Sequence, residues 1–268
     1  RIAIWLLYRG GTNWGGPQYR LMARSFSFMF WATNSFFELL VGKKNLLLLT
    51  DSDVLRLSLP EYYKRPIHLV PIPHTPTLVS EDTVTKRSEK DEIVCWWPGA
   101  PRPEKGLEII RKLTSIKNDR AHIIRLFVAK SANLSDVSGG IKVNAIEDKL
   151  DREEYDRMFL TSNLILLPYD QGIYNESTSG IFTESIYAGA MPLVTKDTWM
   201  AYELSKHGLS DLIIDWHDTG VIETIIRVSS DASIRDKVSA MQIQYKNYHN
   251  VANFAKALNA LYRKHDQD

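Results

Sequence analysis

Short apolar runs alternate with amphipathic stretches along the second part of the chain. The apolar runs are nearly continuous, which is typical of strands buried on both faces of a parallel sheet. The amphipathic stretches carry apolar residues three or four positions apart, which predicts helices. The predicted strands are 93–97, 122–129, 164–168, 191–195 and 212–215, and the predicted helices are 103–116, 151–160, 180–188, 219–229, 232–248 and 250–263. This alternation predicts an α/β domain with a parallel sheet between two layers of helices.

The first part of the chain shows the same pattern over a shorter length. Strands are predicted at 2–8, 46–50 and 67–71, helices at 18–41 and 53–63, and a glycine-rich loop at 9–17. So few strands make a thin sheet. We therefore expect an α/β fold with two Rossmann-like, doubly wound parallel-sheet domains, the first of them incomplete in this chain. We also expect either a break in the chain between residues 20 and 46 or a compensating contact from the last helix.

A change in composition near residue 75 marks a domain boundary. The Pro-rich stretch 71–76 is followed by a polar run at 80–92, and proline-punctuated polar segments are typical of domain connections. The predicted organisation is a first domain at 1–75, a linker at 76–91, a second domain at 92–249 and a C-terminal helix at 250–268 that packs back on the first domain. Because parallel α/β sheets bind ligands beyond the carboxyl ends of their strands, the candidate chemistry is expected in the loops that follow the strands.

Composition and charge exclude several classes of protein. The 268 residues are 44% apolar and 24% charged, which is ordinary for a soluble globular chain. A net charge of +1 gives no argument for nucleic acid as a partner. The single cysteine, Cys95, excludes an internal disulfide framework and favours a reducing compartment, so a cytoplasmic location is predicted.

The helix predicted at 18–41 is apolar on two sides. Phe28 and Trp31 lie opposite its main apolar face. Core burial of both aromatic side chains is the favoured interpretation, and peripheral contact with the inner face of a membrane is the alternative.

The segment from Glu176 to Glu184 carries the strongest chemical signal. It follows a predicted strand and enters a helix near Gly180. Free backbone N–H groups at a helix start, together with the positive end of its dipole, form an anion site, and a glycine lets a phosphate approach the backbone closely. Glu184 lies one turn further along the same face, where its carboxylate is suited to accept hydrogen bonds from vicinal hydroxyls such as those of a ribose.

A second segment, from Trp97 to Gly106, also joins a predicted strand to a helix. It carries two cations, Arg102 and Lys105. Arginine offers a planar fork of donors and lysine a point charge. Two cations at this position, near another helix start, predict a clamp for a diphosphate.

Together these two segments resemble the donor-binding domain of GT-B-fold glycosyltransferases, in particular the large retaining family that includes sucrose and lipid-sugar synthases. The resemblance covers roughly residues 92–268. It is carried by the sequence Pro-Glu-Lys-Gly at 103–106, the spacing of Glu176 and Glu184, and Ala-Gly-Ala-Met-Pro-Leu-Val at 188–194. The family's arginine usually follows its first glycine directly, whereas here Ala100 follows Gly99 and the arginine is Arg102.

The resemblance implies a role for each matching residue. Lys105 and Arg102 would neutralise the departing diphosphate, Glu184 would hold the ribose and Glu176 would contact hydroxyls of the transferred sugar. The backbone at Ser179, Gly180 and Ile181 would bind the distal phosphate and sugar region. The base would lie against the backbone of residues 146–150, including Leu150. Gly15 and Gly16 would face the donor from the first domain.

The function implied by the resemblance is transfer of a sugar from a UDP- or GDP-linked donor to an acceptor hydroxyl on a sugar or a lipid-linked molecule, with retention of anomeric configuration. No cofactor and no metal ion are expected. The one Asp-x-Asp sequence, at 51–53, is predicted to cap a helix, with a metal-bridged diphosphate as the alternative. Two other functions stay open: a sugar-nucleotide epimerase on the same fold and a non-catalytic subunit that binds a sugar nucleotide.

Overall fold

The chain divides into two compact units. The first contains residues 1–75, 172–178 and 246–268, and the second contains 76–171 and 179–245. The computed structural model describes residues 3–7, 20–63, 65–74, 92–134 and 139–267. The predicted linker at 76–91 lies outside these residues.

The first unit is built on a parallel sheet whose described strands lie in chain order. They are β1 (Ala3–Leu6), β2 (Leu46–Thr50) and β3 (His68–Leu69). Its helices are α1 (Arg20–Val41), α2 (Asp53–Ser58) and α3 (Pro60–Tyr63). The core forms where the leucines of β2 and α2 meet, around Leu48 and Leu55, both at most 1% exposed.

The second unit contains a parallel sheet with helices between its strands. Its described strands are β4 (Ile93–Trp96), β5 (Ile124–Ala129), β6 (Lys142–Ile146), β7 (Leu164–Leu167), β8 (Met191–Thr195) and β9 (Ile213–Ile214). The helices that follow them along the chain are α4 (Leu107–Ser115), α5 (Arg152–Thr161), α6 (Gln171–Tyr174, mostly in the first unit), α7 (Gly180–Tyr187), α8 (Trp199–Lys206), α9 (Val221–Ser230) and α10 (Ala232–Tyr248).

The strand order of this sheet determines where a ligand site is expected. The strands lie in the order β6-β5-β4-β7-β8-β9, all parallel. The chain therefore winds outward in one direction from β4 to β6 and then returns to the middle at β7. Sheets with this order bind ligands at the point of reversal, between the first and fourth strands, beyond their carboxyl ends.

The observed elements follow most of the predicted ones and differ at identifiable places. The strands at 46–50 and 191–195 match their predicted bounds. The helix predicted at 53–63 is two helices, because Pro60 has no N–H to continue α2 and instead begins α3. The sequence prediction omitted α8 and also omitted β6, a strand whose side chains are mostly exposed and so lack an apolar run.

The described chain is continuous from Arg20 to Tyr63, which excludes a break between 20 and 46. The other alternative, a contact from the last helix, agrees with the structure, because residues 246–268 belong to the first unit. The expectation that Phe28 and Trp31 lie in a core is wrong. Phe28 and Trp31 are 66% and 50% exposed instead of lying in a core. The part of α1 that carries these two rings is therefore exposed, and the sequence could not show which parts of the helix the rest of the unit would cover.

The last helix, α11 (Val251–Gln267), belongs to the first unit. Just before it, His249 Nδ1 accepts a hydrogen bond of 3.0 Å from the backbone N–H of Ile72. Among the helices that the structure describes, none combines the length and apolar character needed to cross a membrane.

Candidate functional site

The candidate site lies where β4 and β7 end. These two strands are neighbours in the sheet and run parallel, with Cys95 opposite Leu164 and Trp96 opposite Ile165. The loops that leave their carboxyl ends are therefore brought to the same edge of the sheet, at the point of reversal. One loop is the predicted diphosphate clamp at 97–106, and the other leads towards α7.

Gly106 holds these two loops together. It ends a short 3₁₀ turn, Pro103–Lys105, in the left-handed conformation at a φ of +85°. A Cβ atom at this position would lie 2.2 Å from the carbonyl oxygen of Pro168, which immediately follows β7. Only glycine fits both the backbone angle and the space. The backbone N–H of Asp170 adds a hydrogen bond of 3.0 Å to the carbonyl of Glu104.

Two hydrophobic side chains position Lys105. Its backbone carbonyl accepts a hydrogen bond of 3.1 Å from the indole N–H of Trp97, which is 1% exposed. Its ammonium group lies 5.6 Å from the centre of the Tyr169 ring, within the range of a cation–π contact. The side chain thus leaves a rigid backbone and runs along an aromatic surface.

The ammonium group of Lys105 and the side chain of Ile181, in the first turn of α7, both lie beside Gly99. A Cβ atom on Gly99 would lie 3.0 Å from Lys105 Nζ and 3.5 Å from Cδ1 of Ile181. Burial lowers the pKa of Lys105, the positive charge of Arg102 lowers it further, and Glu104 opposes the change. A bound anion would reverse this shift, because a nearby negative charge favours the ammonium form.

The start of α7 has the features of an anion site. Ser179 caps the helix, and its hydroxyl accepts a hydrogen bond of 3.3 Å from the N–H of Phe182. A Cβ atom on Gly180 would meet no heavy atom within 4 Å, so there is room beside the first turn. The remaining N–H groups of this turn and the helix dipole favour a negative charge there.

Glu184 lies one turn further along α7 and is held by α5. Its Oε2 accepts a hydrogen bond of 2.6 Å from the hydroxyl of Tyr155, and its Oε1 is 4.0 Å from the guanidinium of Arg152. Burial raises the pKa of Glu184, while these two partners oppose the rise. The sequence analysis missed Tyr155. The available signal was its helical spacing from Phe159, since both rings pack against Trp96.

Three other predicted residues differ in their surroundings. Arg102 has a side chain that is 57% exposed and lies 3.2 Å from the carboxylate of Glu104 in its own turn. Leu150 lies beyond the carboxyl end of β6, at the edge of the sheet and two strands away from β4. Glu176 belongs to the first unit. Gly15 and Gly16 lie outside the described residues.

Glu176 is anchored in the first unit by the segment that follows β2. The hydroxyl of Ser52 donates a hydrogen bond of 3.2 Å to the carbonyl of Glu176, and the hydroxyl of Thr178 lies 3.3 Å from both carboxylate oxygens of Asp51. Ser52 also caps α2, where it accepts from the N–H of Leu55. Residues 51–53 do lie at a helix start, as predicted, but the capping residue is Ser52 and not either aspartate. No group of three or more His, Cys, Asp or Glu side chains in the described part of the chain is arranged to hold a metal ion.

The ionised carboxyl of Asp51 lowers the stability of the folded chain at neutral pH, because it is buried. Burial raises its pKa from 3.8 to about 6. The folded state therefore binds the proton more tightly than the unfolded state, and stability falls as the pH rises from about 4 to about 6. We expect Asp51→Asn to be about 1–2 kcal/mol more stable than the parent chain at pH 7.5 and to lose this advantage at pH 4.

Urea unfolding at the two pH values measures this difference. The control is Asp53→Asn, which changes the same charge two positions away in the first turn of α2. It should give no gain in stability, because an acidic side chain favours a helix start. An Asp51→Asn variant that is less stable than the parent at pH 7.5 would contradict the expectation.

The sequence matches no family model and no curated protein, but the structure is similar to solved structures. Sucrose-phosphate synthase from Thermosynechococcus elongatus aligns with a TM-score of 0.63 at 14% identity, over 97% of this chain and 67% of that chain. WaaG, a glycosyltransferase involved in lipopolysaccharide biosynthesis, aligns with a TM-score of 0.64 at 15% identity, over 96% of this chain and 73% of that chain.

An α,α-trehalose-phosphate synthase from Burkholderia vietnamiensis aligns with a TM-score of 0.65 at 9% identity, over 99% of this chain and 67% of that chain. These proteins share the GT-B fold. The prediction of a GT-B fold with two Rossmann-like parallel-sheet units is confirmed. At these identities the similarity shows the fold, and the chain spans 67–73% of the length of the proteins it resembles.

Proposed function

We propose that this chain is a glycosyltransferase that takes a sugar from a nucleoside-diphosphate sugar and transfers it to an acceptor hydroxyl with retention of configuration. One observation carries the proposal: Lys105 Nζ and Cδ1 of Ile181 both lie beside Gly99, at the carboxyl ends of β4 and β7. A cation and a capped helix start meet there, at the point of the sheet where ligands of this fold bind. The GT-B fold shared with known glycosyltransferases supports the same function.

The diphosphate of the donor fits between Lys105 and the first turn of α7. Negative charge grows on this group as the bond to the sugar breaks, and a preorganised cation with free N–H groups stabilises it most in a partly buried site. Because Gly106 and Trp97 hold the backbone of Lys105 rigidly, the ammonium group needs little reorganisation. Arg102 is proposed to reach the same diphosphate from the exposed side of the turn.

The ribose of the donor fits against Glu184. One carboxylate oxygen accepts a hydrogen bond from the hydroxyl of Tyr155, which fixes the orientation of the carboxylate. The remaining lone pairs are suited to the two vicinal ribose hydroxyls, since an ionised carboxylate is an acceptor only. Tyr155 is thus proposed as a positioning residue. The base would lie against 146–150, and Glu176 is proposed to contact the transferred sugar.

Retention follows from a reaction on one face of the sugar. The bond from the anomeric carbon to the diphosphate oxygen breaks, and the acceptor oxygen bonds to the same face of that carbon. The acceptor proton passes to the departing phosphate, so no protein side chain is required as the base. Charge stabilisation and positioning then supply the rate enhancement. The proposal needs no metal ion and places the protein in the cytoplasm, whose reducing conditions suit the buried free thiol of Cys95.

A transfer assay with a panel of UDP- and GDP-linked hexoses tests this function. We expect one donor to release its nucleoside diphosphate only when a sugar or lipid-linked acceptor is present, and the reaction to continue in EDTA. The product should keep the anomeric configuration of the donor, as measured by NMR. Metal dependence would appear as activity lost in EDTA and restored by Mg²⁺ or Mn²⁺.

The same assay separates the two alternative functions. An epimerase would convert the sugar of the donor with no acceptor present. A non-catalytic subunit would bind the donor, as calorimetry measures, and release no nucleoside diphosphate with any acceptor. Either result would overturn the proposal.

A further inference from the structure

The first unit contains a cavity that is separate from the candidate site. Its volume is about 310 Å³, which is at the lower end of the range of roughly 300–1,000 Å³ for small-molecule pockets. It lies at the amino ends of β2 and β3, beside Leu46 and His68, and α11 closes one side with Leu261 and Lys264. Asp51 and Ser52 follow the opposite, carboxyl end of β2.

The charged side chains around this cavity are positive. Lys43, Lys44, Arg65 and Lys264 line it, and no Asp or Glu is among its described lining residues. The guanidinium of Arg65 donates a hydrogen bond of 2.6 Å to Glu38. The three lysines bring further positive charge to the same small volume, and like charges at such separations repel one another.

The pKa of His68 is affected by the same positive charges. Burial lowers the pKa of this imidazole, and the charges of Lys264 and Arg65 lower it further. An anion placed in the cavity would relieve the repulsion between the cations. It would also gain charge-assisted hydrogen bonds from ammonium groups that are exposed at the rim.

The floor of the cavity is apolar. Leu47 of β2 and Leu261 of α11 line it, and both are half-buried, so part of each side chain remains exposed. A simple inorganic ion would leave this floor in contact with water, whereas an apolar group would cover it and gain from the burial. The combination of an apolar floor and a cationic rim selects for an amphiphilic anion.

We propose that this cavity binds a phosphate monoester that carries an apolar group, with the phosphate between Lys43, Lys44 and Lys264 and the apolar group against the leucines of β2 and α11. A doubly charged phosphate matches several cations better than a single carboxylate does. The site faces the amino edge of the first sheet. It therefore stands independently of the proposed sugar transfer, which uses the carboxyl edge of the second sheet.

Calorimetry on the full chain with decyl phosphate, below the concentration at which it forms micelles, tests the proposal. We expect decyl phosphate to bind at least about tenfold more tightly than either decanol or inorganic phosphate. Lys44→Ala and Lys264→Ala should each weaken binding about tenfold, since each removes a charge-assisted contact. Arg263→Ala is the matched control: it removes an exposed cation one position away on α11 that does not line the cavity.

A second experiment, with lipid vesicles, distinguishes two sources of the phosphate monoester: a lipid headgroup and a soluble phosphate ester. Sedimentation with phosphatidic acid vesicles, compared with phosphatidylcholine vesicles, detects a lipid headgroup as the ligand. If decyl phosphate binds free in solution and vesicles do not sediment the chain, the ligand is a soluble phosphate ester. If phosphatidic acid vesicles sediment the chain and Lys264→Ala prevents it, the ligand is a lipid.

Three results would overturn the proposal. Decyl phosphate and decanol could bind equally, Arg263→Ala could weaken binding as much as Lys264→Ala, or neither decyl phosphate nor the vesicles could bind. Lys264→Arg is the check on folding and charge. It should restore the binding that Lys264→Ala loses, which a merely structural role for the lysine stem would not require.

Discussion

Lys105→Ala is expected to lower the turnover of sugar transfer by about 100-fold or more, because the loss of one preorganised group that stabilises developing charge typically costs 10²–10³ in rate. The ammonium group lies beside Gly99, which also neighbours Ile181 of α7, and the departing diphosphate is proposed to bind there. Affinity for the bare nucleoside diphosphate should fall as well, since that ligand carries the same charge. Steady-state kinetics and calorimetry on one preparation measure both effects.

Lys112→Ala is the matched control for this experiment. Lys112 lies on α4, is exposed and carries the same charge on the same kind of side chain, so its loss should change neither turnover nor affinity. Lys105→Arg adds a second check. It keeps the charge but replaces a compact ammonium by a planar fork, and it should recover part of the affinity and little of the turnover. A Lys105→Ala variant with parental turnover would remove the basis of the proposed donor site.

Glu184→Gln is expected to weaken the binding of the nucleoside diphosphate by at least about tenfold. A hydrogen bond to a charged group contributes roughly 1.5–3 kcal/mol, and ~1.4 kcal/mol is a factor of ten. Glutamine keeps the shape but replaces one acceptor oxygen by a donor, so it cannot accept from both ribose hydroxyls. Calorimetry with the nucleoside diphosphate alone measures the change, and Glu153→Gln, an exposed carboxylate of α5, is the control.

Glu176→Gln should behave differently from Glu184→Gln. If Glu176 touches the transferred sugar, its substitution lowers turnover with the sugar nucleotide and leaves the affinity for the bare diphosphate nearly unchanged. Equal losses of diphosphate affinity in both variants, or none in Glu184→Gln, would contradict the assigned roles. The affinity of Tyr155→Phe for the nucleoside diphosphate should lie between that of the parent chain and that of Glu184→Gln. This variant keeps the carboxylate but removes the hydrogen bond that orients it.

The parts of the candidate site that the sequence predicted are those that depend on local chemistry. Ser179 caps α7, and Gly180 at the first helical position follows directly from the pattern of a strand, a loop of small hydroxyl residues and a helix. Lys105 lies in a strand-to-helix turn that its flanking proline and glycine predict. Such features arise from backbone angles and hydrogen bonds within a few residues, so a short segment contains the information for them.

The partners that hold these residues were not predictable in the same way. Tyr155 and Glu184 are 29 positions apart, and Ser52 and Glu176 are 124 apart. No local pattern indicates that such residues meet, because the meeting depends on which helices pack on which strands. The structure also adds a local partner that the sequence analysis did not predict: the guanidinium of Arg102 lies 3.2 Å from the carboxylate of Glu104 in the same turn.

By itself, the sequence determined the alternation of strands and helices, their parallel arrangement and most of their bounds. Hydrophobic periodicity and local capping suffice for these features. Only the tertiary structure decided that β4 and β7 are neighbours, that Gly106 packs against Pro168 and that Phe28 and Trp31 of α1 are exposed. It also decided that polar β6 becomes a strand, by pairing with β5. The physical reason is that strand order, edge pairing and burial are set by contacts between segments far apart in the chain, where local backbone preferences carry no information.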